Sequence, residues 1–312
     1  METLFQDDRF YLARKEKALR LRAGLQASVR RFFGERGFLE VDTPVRVPSP
    51  APEEHIEAVA SGAWFLQTSP ELCMKRLLAA GYPKVFQICK CFRADERGCR
   101  HLPEFTMLEW YEADIDYLWM MEQCQCLLSS VFTDAGHVTV LPRQQRFIGI
   151  QGPWPRVTVA EAFRRYAPVS AEKALAGNRF EEVLTEYVEP HLGVDKPVFL
   201  YDYPAPLAAL ARIKKNDPSV AERFELYIDG MELANGFSEL ICLNEQRRRF
   251  EEAQKARAEK KFARYIMPER FLAAMENMPP AAGIALGLDR VVMLLADATS
   301  IDDVVAFTPE SL

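Results

Sequence analysis

Apolar residues recur at helical spacing between residues 9 and 36. Leu19, Leu21, Leu25, Val29, Phe32 and Phe33 fall on one stripe, with Arg and Lys between them. The pattern predicts an amphipathic helix that Gly37 stops, then a strand at Phe38-Leu39-Glu40-Val41 ended by Pro44. Residues 45–63 are rich in Pro and Ala and read as a loop. Residues 64–68 form a short predicted strand. Ser69 as N-cap and Pro70 at the first position predict a helix over 70–81, followed by a strand at 85–88. Helical periodicity returns over 115–135 and 157–195, the latter opened by a capping-box pattern at Thr158. Residues 198–204 read as a buried strand ending at a proline, and 223–228 alternate like another. Asp229-Gly230 is a hairpin signal. The returning strand carries Glu232 and Glu239. Charged helices follow over 245–262 and 268–278, then a strand, a Gly turn and a helix from Leu288 to Ala296. Strands in adjacent runs with hairpin signals, not regular βαβ alternation, predict an α+β fold with a mainly antiparallel sheet flanked by helices.

Composition changes this picture little. The chain has 312 residues, enough for one large domain or two ordinary ones. No apolar run reaches membrane-spanning length, and the start, METLFQDDRFYLARKEK, is too charged for a secretory signal, so a cytoplasmic protein is expected. The net charge is −6, which gives no electrostatic footprint for nucleic acid. Arg247-Arg248-Arg249 is flanked by Glu245, Glu251 and Glu252 and reads as a solvated helix face. Seven cysteines, including Cys89-x-Cys91 and Cys124-x-Cys126, lack zinc-site spacings and are read as reduced structural thiols.

The most concentrated chemistry lies in residues 92–111, FRADERGCRHLPEFTMLEWY. Arg93 and Arg100 stand seven apart with Asp95, Glu96, His101, Glu104 and Glu109 interleaved, and Gly98 marks a turn. A strand, a loop rich in guanidinium donors and a returning strand would suit a polyphosphate, because the guanidinium fork matches phosphate oxygens two at a time. An exposed charged hairpin is the plain alternative.

This stretch resembles motif 2 of class II aminoacyl-tRNA synthetases in its lysine-specific form. Residues 37–44, GFLEVDTP, resemble motif 1. Residues 283–290, GIALGLDR, resemble motif 3. Residues 232–240, ELANGFSEL, resemble the lysine-pocket segment of lysyl-tRNA synthetases. Four motifs in order cover nearly the whole chain. The resemblance implies the class II synthetase fold, a sheet of about six antiparallel strands. It also implies a homodimer built partly on the first helix, and ATP with Mg²⁺ as cofactors. Residues 1–312 are expected to form a single catalytic domain with a helical segment over 112–200. Only a short helix precedes motif 1, so no anticodon-binding OB domain is expected.

By the same resemblance Arg93 contacts the α-phosphate and the substrate carboxylate, Arg290 the γ-phosphate, and Phe105 stacks on adenine. Arg93 and Arg290 are thus the expected catalytic pair. ATP contacts extend to Asp95, Arg100, His101, Leu102, Glu232, Leu233 and Gly287. The amino acid is expected at Ser69, Pro70, Glu71, Tyr111, Asn235, Phe237, Glu239 and Ala285, with Glu71 on its α-ammonium and Glu239 with Tyr111 on its ε-ammonium. Glu232 and Glu239 are the expected carboxylates for Mg²⁺, which takes oxygen ligands and bridges phosphates.

Departures sort the family members. Ala234 and Ala285 stand where lysyl-tRNA synthetases usually carry glycine, and a methyl at a pocket wall reshapes the space around the substrate amino group. Both changes, with the missing anticodon domain, resemble the elongation factor P lysine ligases. That family adenylates (R)-β-lysine and transfers it to a lysine of elongation factor P. Lysine or β-lysine as substrate and elongation factor P as acceptor are therefore expected, with no membrane partner and with tRNA disfavoured. Leu102 replaces an Asn usual in both families, and it cannot make that residue's hydrogen bonds. Ala94 replaces another usual Asn. Two alternatives remain: a truncated lysyl-tRNA synthetase, and a non-catalytic regulatory paralogue that senses an amino acid.

Overall fold

The computed structural model describes residues 8–312. The first seven residues, part of the charged start noted above, lie outside the described residues. Helix α1 (Asp8–Gly34) buries Ala18, Leu25, Val29, Phe32 and Phe33 on one face, with Leu21 packed against them; Leu19 of the predicted stripe instead lies on the outward side. Gly37, at φ +74°, turns the chain into β1 (Leu39–Glu40). The Pro/Ala-rich stretch over 45–63 is not all loop. It supplies β2 (Arg46–Val47) and β3 (Ala60–Ser61), which pair with β4 (Trp64–Leu66) in a small side sheet. Pairings this short leave no periodic sequence signal. Helix α2 (Glu71–Ala79) has Pro70 at the cap position instead of Ser69. The Ser69 hydroxyl still accepts from the Glu71 N–H at 3.0 Å.

Strands β5 (Lys84–Phe92) and β6 (Glu104–Ala113) form the expected hairpin around loop 93–103. Helix α3 (Tyr117–Asp134) is capped by Asp116, whose carboxylate accepts from two backbone N–H groups. The segment over 112–200 is not wholly helical. It holds a β7 (Val140–Arg143) and β8 (Arg146–Gly149) hairpin, then β9 (Arg156–Thr158). Short helices α4 (Val159–Tyr166), α5 (Ala171–Ala176) and α6 (Phe180–Val183) follow, and Thr158 caps α4. Strands β10 (Val198–Pro204), β11 (Val220–Ile228) and β12 (Met231–Ser238) come next. Asp229 and Gly230 both take positive φ in the β11–β12 turn, as a two-residue I′ hairpin requires. Helices α7 (Leu243–Glu259) and α8 (Glu269–Ala274) lead to β13 (Ala281–Gly287) and α9 (Leu288–Ala296).

The main sheet has eight strands in the order β1-β5-β6-β13-β12-β11-β10-β9. The six in the middle are antiparallel, as expected, and β1 and β9 add parallel edges. One sheet face carries Phe86, Leu108, Trp110, Ala282, Ile284, Leu286, Phe224 and Leu226, and with α1, α3 and α9 it makes the largest core. The other face is covered at its sides. Met74 and Leu78 of α2 pack on Val85 and Tyr111, and helices α4 to α6 pack on Val198, Leu200 and Tyr227. Strands β6, β13 and β12 between them are left to form a pocket floor.

Leu102 is 3% exposed and belongs to the large core. Its side chain therefore packs with hydrocarbon, and the expectation that it contacts nucleotide is corrected: at this position only its main chain remains for a ligand. Leu102→Asn would bury an amide among apolar side chains. The expected loss in a urea unfolding titration is about 2–4 kcal/mol. A loss below about 1 kcal/mol would mean that the side chain is not core.

Candidate active site

Period-2 alternation puts Phe105, Glu109 and Tyr111 of β6 on the pocket face. Register then builds rows across the sheet. Gln87, Glu109, Ala285, Asn235 and Glu225 lie side by side on β5, β6, β13, β12 and β11. Val85, Tyr111, Gly283, Phe237 and Arg223 make the next row. The expected pocket residues Tyr111, Asn235, Phe237 and Ala285 are thus neighbours. Ala234 is not among them. It pairs with Leu286 and is buried in the large core, so its methyl lies on the opposite face from the pocket.

At one end the arginines gather. Arg93 lies 5.2 Å from the centre of the Phe105 ring and 3.6 Å from Glu96, and its buried Nε has no partner. A buried unpaired donor of this kind fits an anionic ligand. Arg290, the third residue of α9, donates to the Glu232 carbonyl (2.6 Å) and to His101 Nε2 (2.7 Å). Arginine only donates, so His101 accepts there. Burial, and next the Arg290 charge, hold the His101 pKa below its ordinary value, which keeps the ring neutral. Arg100 donates to the Gly230 carbonyl (2.7 Å), so loop 93–103 reaches the β11–β12 turn. Asp95 stands exposed in that loop at φ 62°. Gly287 lies beside the Arg290 side chain: a Cβ there would meet its Cδ at 3.6 Å. Leu233 is the extra residue of a β-bulge, where the β11 partner steps from Ala234 to Glu232. Its side chain is in the core, which corrects its expected nucleotide contact to a main-chain one at most.

At the other end carboxylates gather. Ser69 donates to Glu109 Oε1, and the Tyr111 hydroxyl donates to Glu109 Oε2 at 2.9 Å. The Tyr111 ring and Glu239 meet over Gly283, where a Cβ would fall 2.2 Å from the ring and 2.6 Å from Glu239 Oε1. Glu71 and Glu239 share a buried cation, Lys75, which the sequence reading left unassigned. Pro70 is buried at the head of α2 and its carbonyl accepts from Met74 N–H. Burial first, and then the neighbouring Glu71 charge, raise Glu109 to about 8. Burial raises Glu239 to about 8 against the opposing pull of Lys75. Glu53, from the segment before β3, is raised to about 7 by burial and then by Glu71, with Arg93, Arg223 and Lys75 pulling the other way. Surplus buried anion with raised pKa values is the electrostatic form of a site that awaits cations.

The expected metal pair does not assemble. Glu239 lies seven residues beyond Glu232 along extended chain, on the order of 20 Å away at strand rise. One ion cannot take both carboxylates. Glu232 pairs with Arg290 at 3.5 Å, and it also bears on Glu225, whose pKa is raised by burial first and by Glu232 next. Glu225 also accepts from Tyr203 (2.5 Å), Tyr227 (2.7 Å), Arg223 (2.6 Å) and Asn235 (3.2 Å). No group of three or more metal-ligating side chains converges among the described residues. An ion held here would therefore draw its remaining oxygens from a ligand's phosphates, as Mg²⁺ habitually does.

The chain matches the family model described as class II tRNA synthetases (D, K and N) over residues 7–311. It is similar to proteins named elongation factor P--(R)-beta-lysine ligase. The one from Pectobacterium carotovorum subsp. carotovorum is 41% identical over 310 residues, covering 93% of this chain and 94% of that protein. The one from Edwardsiella ictaluri is 40% identical, covering 92% and 93%. The one from Haemophilus influenzae strain PittGG is 39% identical, covering 95% and 96%.

Gly283 is where this geometry is most exposed to test. Gly283→Ala must push Tyr111 and Glu239 apart. It is expected to cost about 1–3 kcal/mol in chemical denaturation, the range for overpacking. An unchanged stability would show that the ring does not lie over the glycine.

Proposed function

This chain belongs to the class II tRNA synthetase family of the D, K and N type, and from that premise we propose that it activates a lysine-type amino acid with ATP and transfers the lysyl group to a lysine side chain of elongation factor P. The observation that carries this reading is the two-ended arrangement of charge on this face of the sheet. The carboxylates of buried Glu109 and Glu239 and of half-buried Glu71 stand at one end, and Arg93 with an unpartnered Nε stands at the other. A molecule with two ammonium groups and one carboxylate matches that order of charges, because each buried charge then finds its opposite. The relatives of matching length that carry the ligase name supply the acceptor.

Activation needs positioning and charge neutralisation more than acid–base work. The substrate carboxylate oxygen attacks the α-phosphorus in line, the bond to the bridging oxygen breaks, and pyrophosphate leaves. Arg93 neutralises the α-phosphoryl oxygens and the attacking carboxylate. Arg290, braced by the Glu232 carbonyl and by neutral His101, faces the departing phosphates, and Arg100 and Phe105 hold the tail and the base. Glu232 would hold Mg²⁺, which would supply further positive charge to the phosphates. In the second step the neutral amine of the acceptor lysine attacks the adenylate carbonyl. The C–N bond forms, the C–O bond to phosphate breaks, AMP leaves and the amine loses a proton. In this reading the enzyme works in the cytoplasm as a homodimer. The outward side of α1, where Leu12, Ala13, Leu19 and Ala23 line a shallow groove, offers a surface for the second copy.

Charging of tRNA is the second reading. The net charge of −6 disfavours it, since nucleic-acid binding draws most of its affinity from cationic contacts to phosphate.

ATP–pyrophosphate exchange tests the proposal, with (R)-β-lysine and α-lysine compared as substrates. Exchange that requires a lysine-type amino acid is expected, with preference for (R)-β-lysine; no exchange with either would reject the reading. Arg290→Ala is expected to abolish exchange while leaving the circular dichroism spectrum unchanged. Ala285→Gly is expected to shift preference toward α-lysine. Ala234→Gly, on the core face, should leave the preference unchanged and cost about 1 kcal/mol of stability. Equal shifts from the two alanines would undo the assignment of faces.

A further inference from the structure

Lys75 lies one helical turn beyond Glu71 on α2, so both side chains leave the same helix face. Its Nζ stands 2.5 Å from Glu71 Oε1 and 2.5 Å from Glu239 Oε2, and 5.0 Å from the centre of the Phe237 ring. Only 3% of the side chain is exposed. The protein's own ammonium thus already occupies one oxygen of each carboxylate expected to bind the substrate's two amino groups. Glu239 Oε1 is left buried, without a partner, beside the Tyr111 ring.

We propose that Lys75 is a positioning residue for the amino-acid substrate: it ties Glu71 to Glu239 and leaves one oxygen of each carboxylate free for the ligand. The proposal rests on the lysine-type pocket argued above. Its physical basis is repulsion. Two buried carboxylates that face each other without a cation move apart or take up a proton, and either outcome loses an ammonium site. Glu71, Glu109, Glu239 and Glu53 around the single Lys75 are more carboxylates than one cation can pair, which suits an ammonium-bearing ligand. A more mobile or exposed cation could not hold this geometry. A buried, doubly paired ammonium stacked on an aromatic ring does so at low cost in side-chain freedom.

The charged and titratable groups that face this cluster are Glu71 on α2, Glu109 and Tyr111 on β6, Glu239 after β12, and Glu53 from the segment before β3. Glu109 and Glu239 ionise near 8, so an ammonium substrate binds better as pH rises toward that value. Lys75 lowers the Glu239 value, so its loss moves the rise to higher pH.

The experiment is ATP–pyrophosphate exchange at varied amino acid and varied ATP, from pH 6 to 9.5, on the wild type, Lys75→Met and Lys75→Arg. Lys75→Met is expected to raise the amino-acid KM about tenfold or more while the ATP KM stays within about twofold. The midpoint of the rise in kcat/KM for the amino acid should move up by about one pH unit or more. Lys75→Arg keeps the charge and should keep the wild-type midpoint, with a raised amino-acid KM because its planar fork cannot reproduce the point contact. Unchanged amino-acid KM and midpoint in Lys75→Met would overturn the proposal, as would equal rises in both KM values. Should Lys75→Met fail to fold, Lys75→Arg carries the test: a wild-type amino-acid KM in that variant overturns the positioning role. A wild type inactive on both lysines would instead reject the underlying reading.

Discussion

The carboxylate of Asp289 is the contact on which the site's construction depends. It is 2% exposed at the start of α9. It accepts from the Thr106 backbone N–H at 2.6 Å and pairs with Arg22 of α1. Arg22 also donates to the Val304 carbonyl at 3.1 Å. One buried anion thus joins the first helix, the second strand of the central hairpin and the last long helix. A buried charge with these partners is strongly disfavoured from moving, because any partner lost leaves it unpaired. The residues on either side of this knot are Phe105 and Arg290, one step along the chain from Thr106 and from Asp289. Three segments far apart in sequence are therefore held in one register, and the adenine and phosphate groups of the ligand would lie against that register.

From this fixed end the sheet carries the geometry across to the other. Cross-strand rows bring Glu109, Ala285 and Asn235 side by side, and the glycine at 283 lets the Tyr111 ring and Glu239 approach over β13. Charge, more than shape, distinguishes the two ends. The arginine end has donors to spare and the far end has carboxylates to spare, with Lys75 as a resident counter-ion among them. A carboxylate with ammonium groups along its chain is oriented in only one direction by such a field. In the proposed reading that direction places its carboxylate beside Arg93.

Much of this arrangement was legible from residue patterns. The stripe on α1, the hairpin around 93–103, the Asp229-Gly230 turn and the strand–helix join at Leu288 each follow from local rules of spacing, turn chemistry and capping. Glu109 stood within reach of the same reasoning: it lies two residues before Tyr111, and alternation alone puts both on one face. Lys75 did too, four residues after Glu71 on a helix. Other features were not legible. The neighbourhood of Glu225 and Glu232 depends on a bulge that local sequence does not mark. The burial of Leu102 depends on where loop 93–103 folds, and the opposite facing of Ala234 and Ala285 depends on the register between β12 and β13. Glu232 and Glu239, both expected at Mg²⁺ by resemblance, stand seven residues apart along extended chain, a separation that only the strand assignment reveals.

The proposed reaction has two steps, adenylation of a lysine-type amino acid and then transfer to a protein amine. The most direct measurement is the intact mass of elongation factor P after incubation with this protein, ATP and (R)-β-lysine. A gain of one lysyl group is expected, dependent on ATP and lost when the acceptor lysine is replaced. Adenylate formation with no gain of mass on elongation factor P, alongside aminoacylation of tRNA in the same mixture, would contradict it.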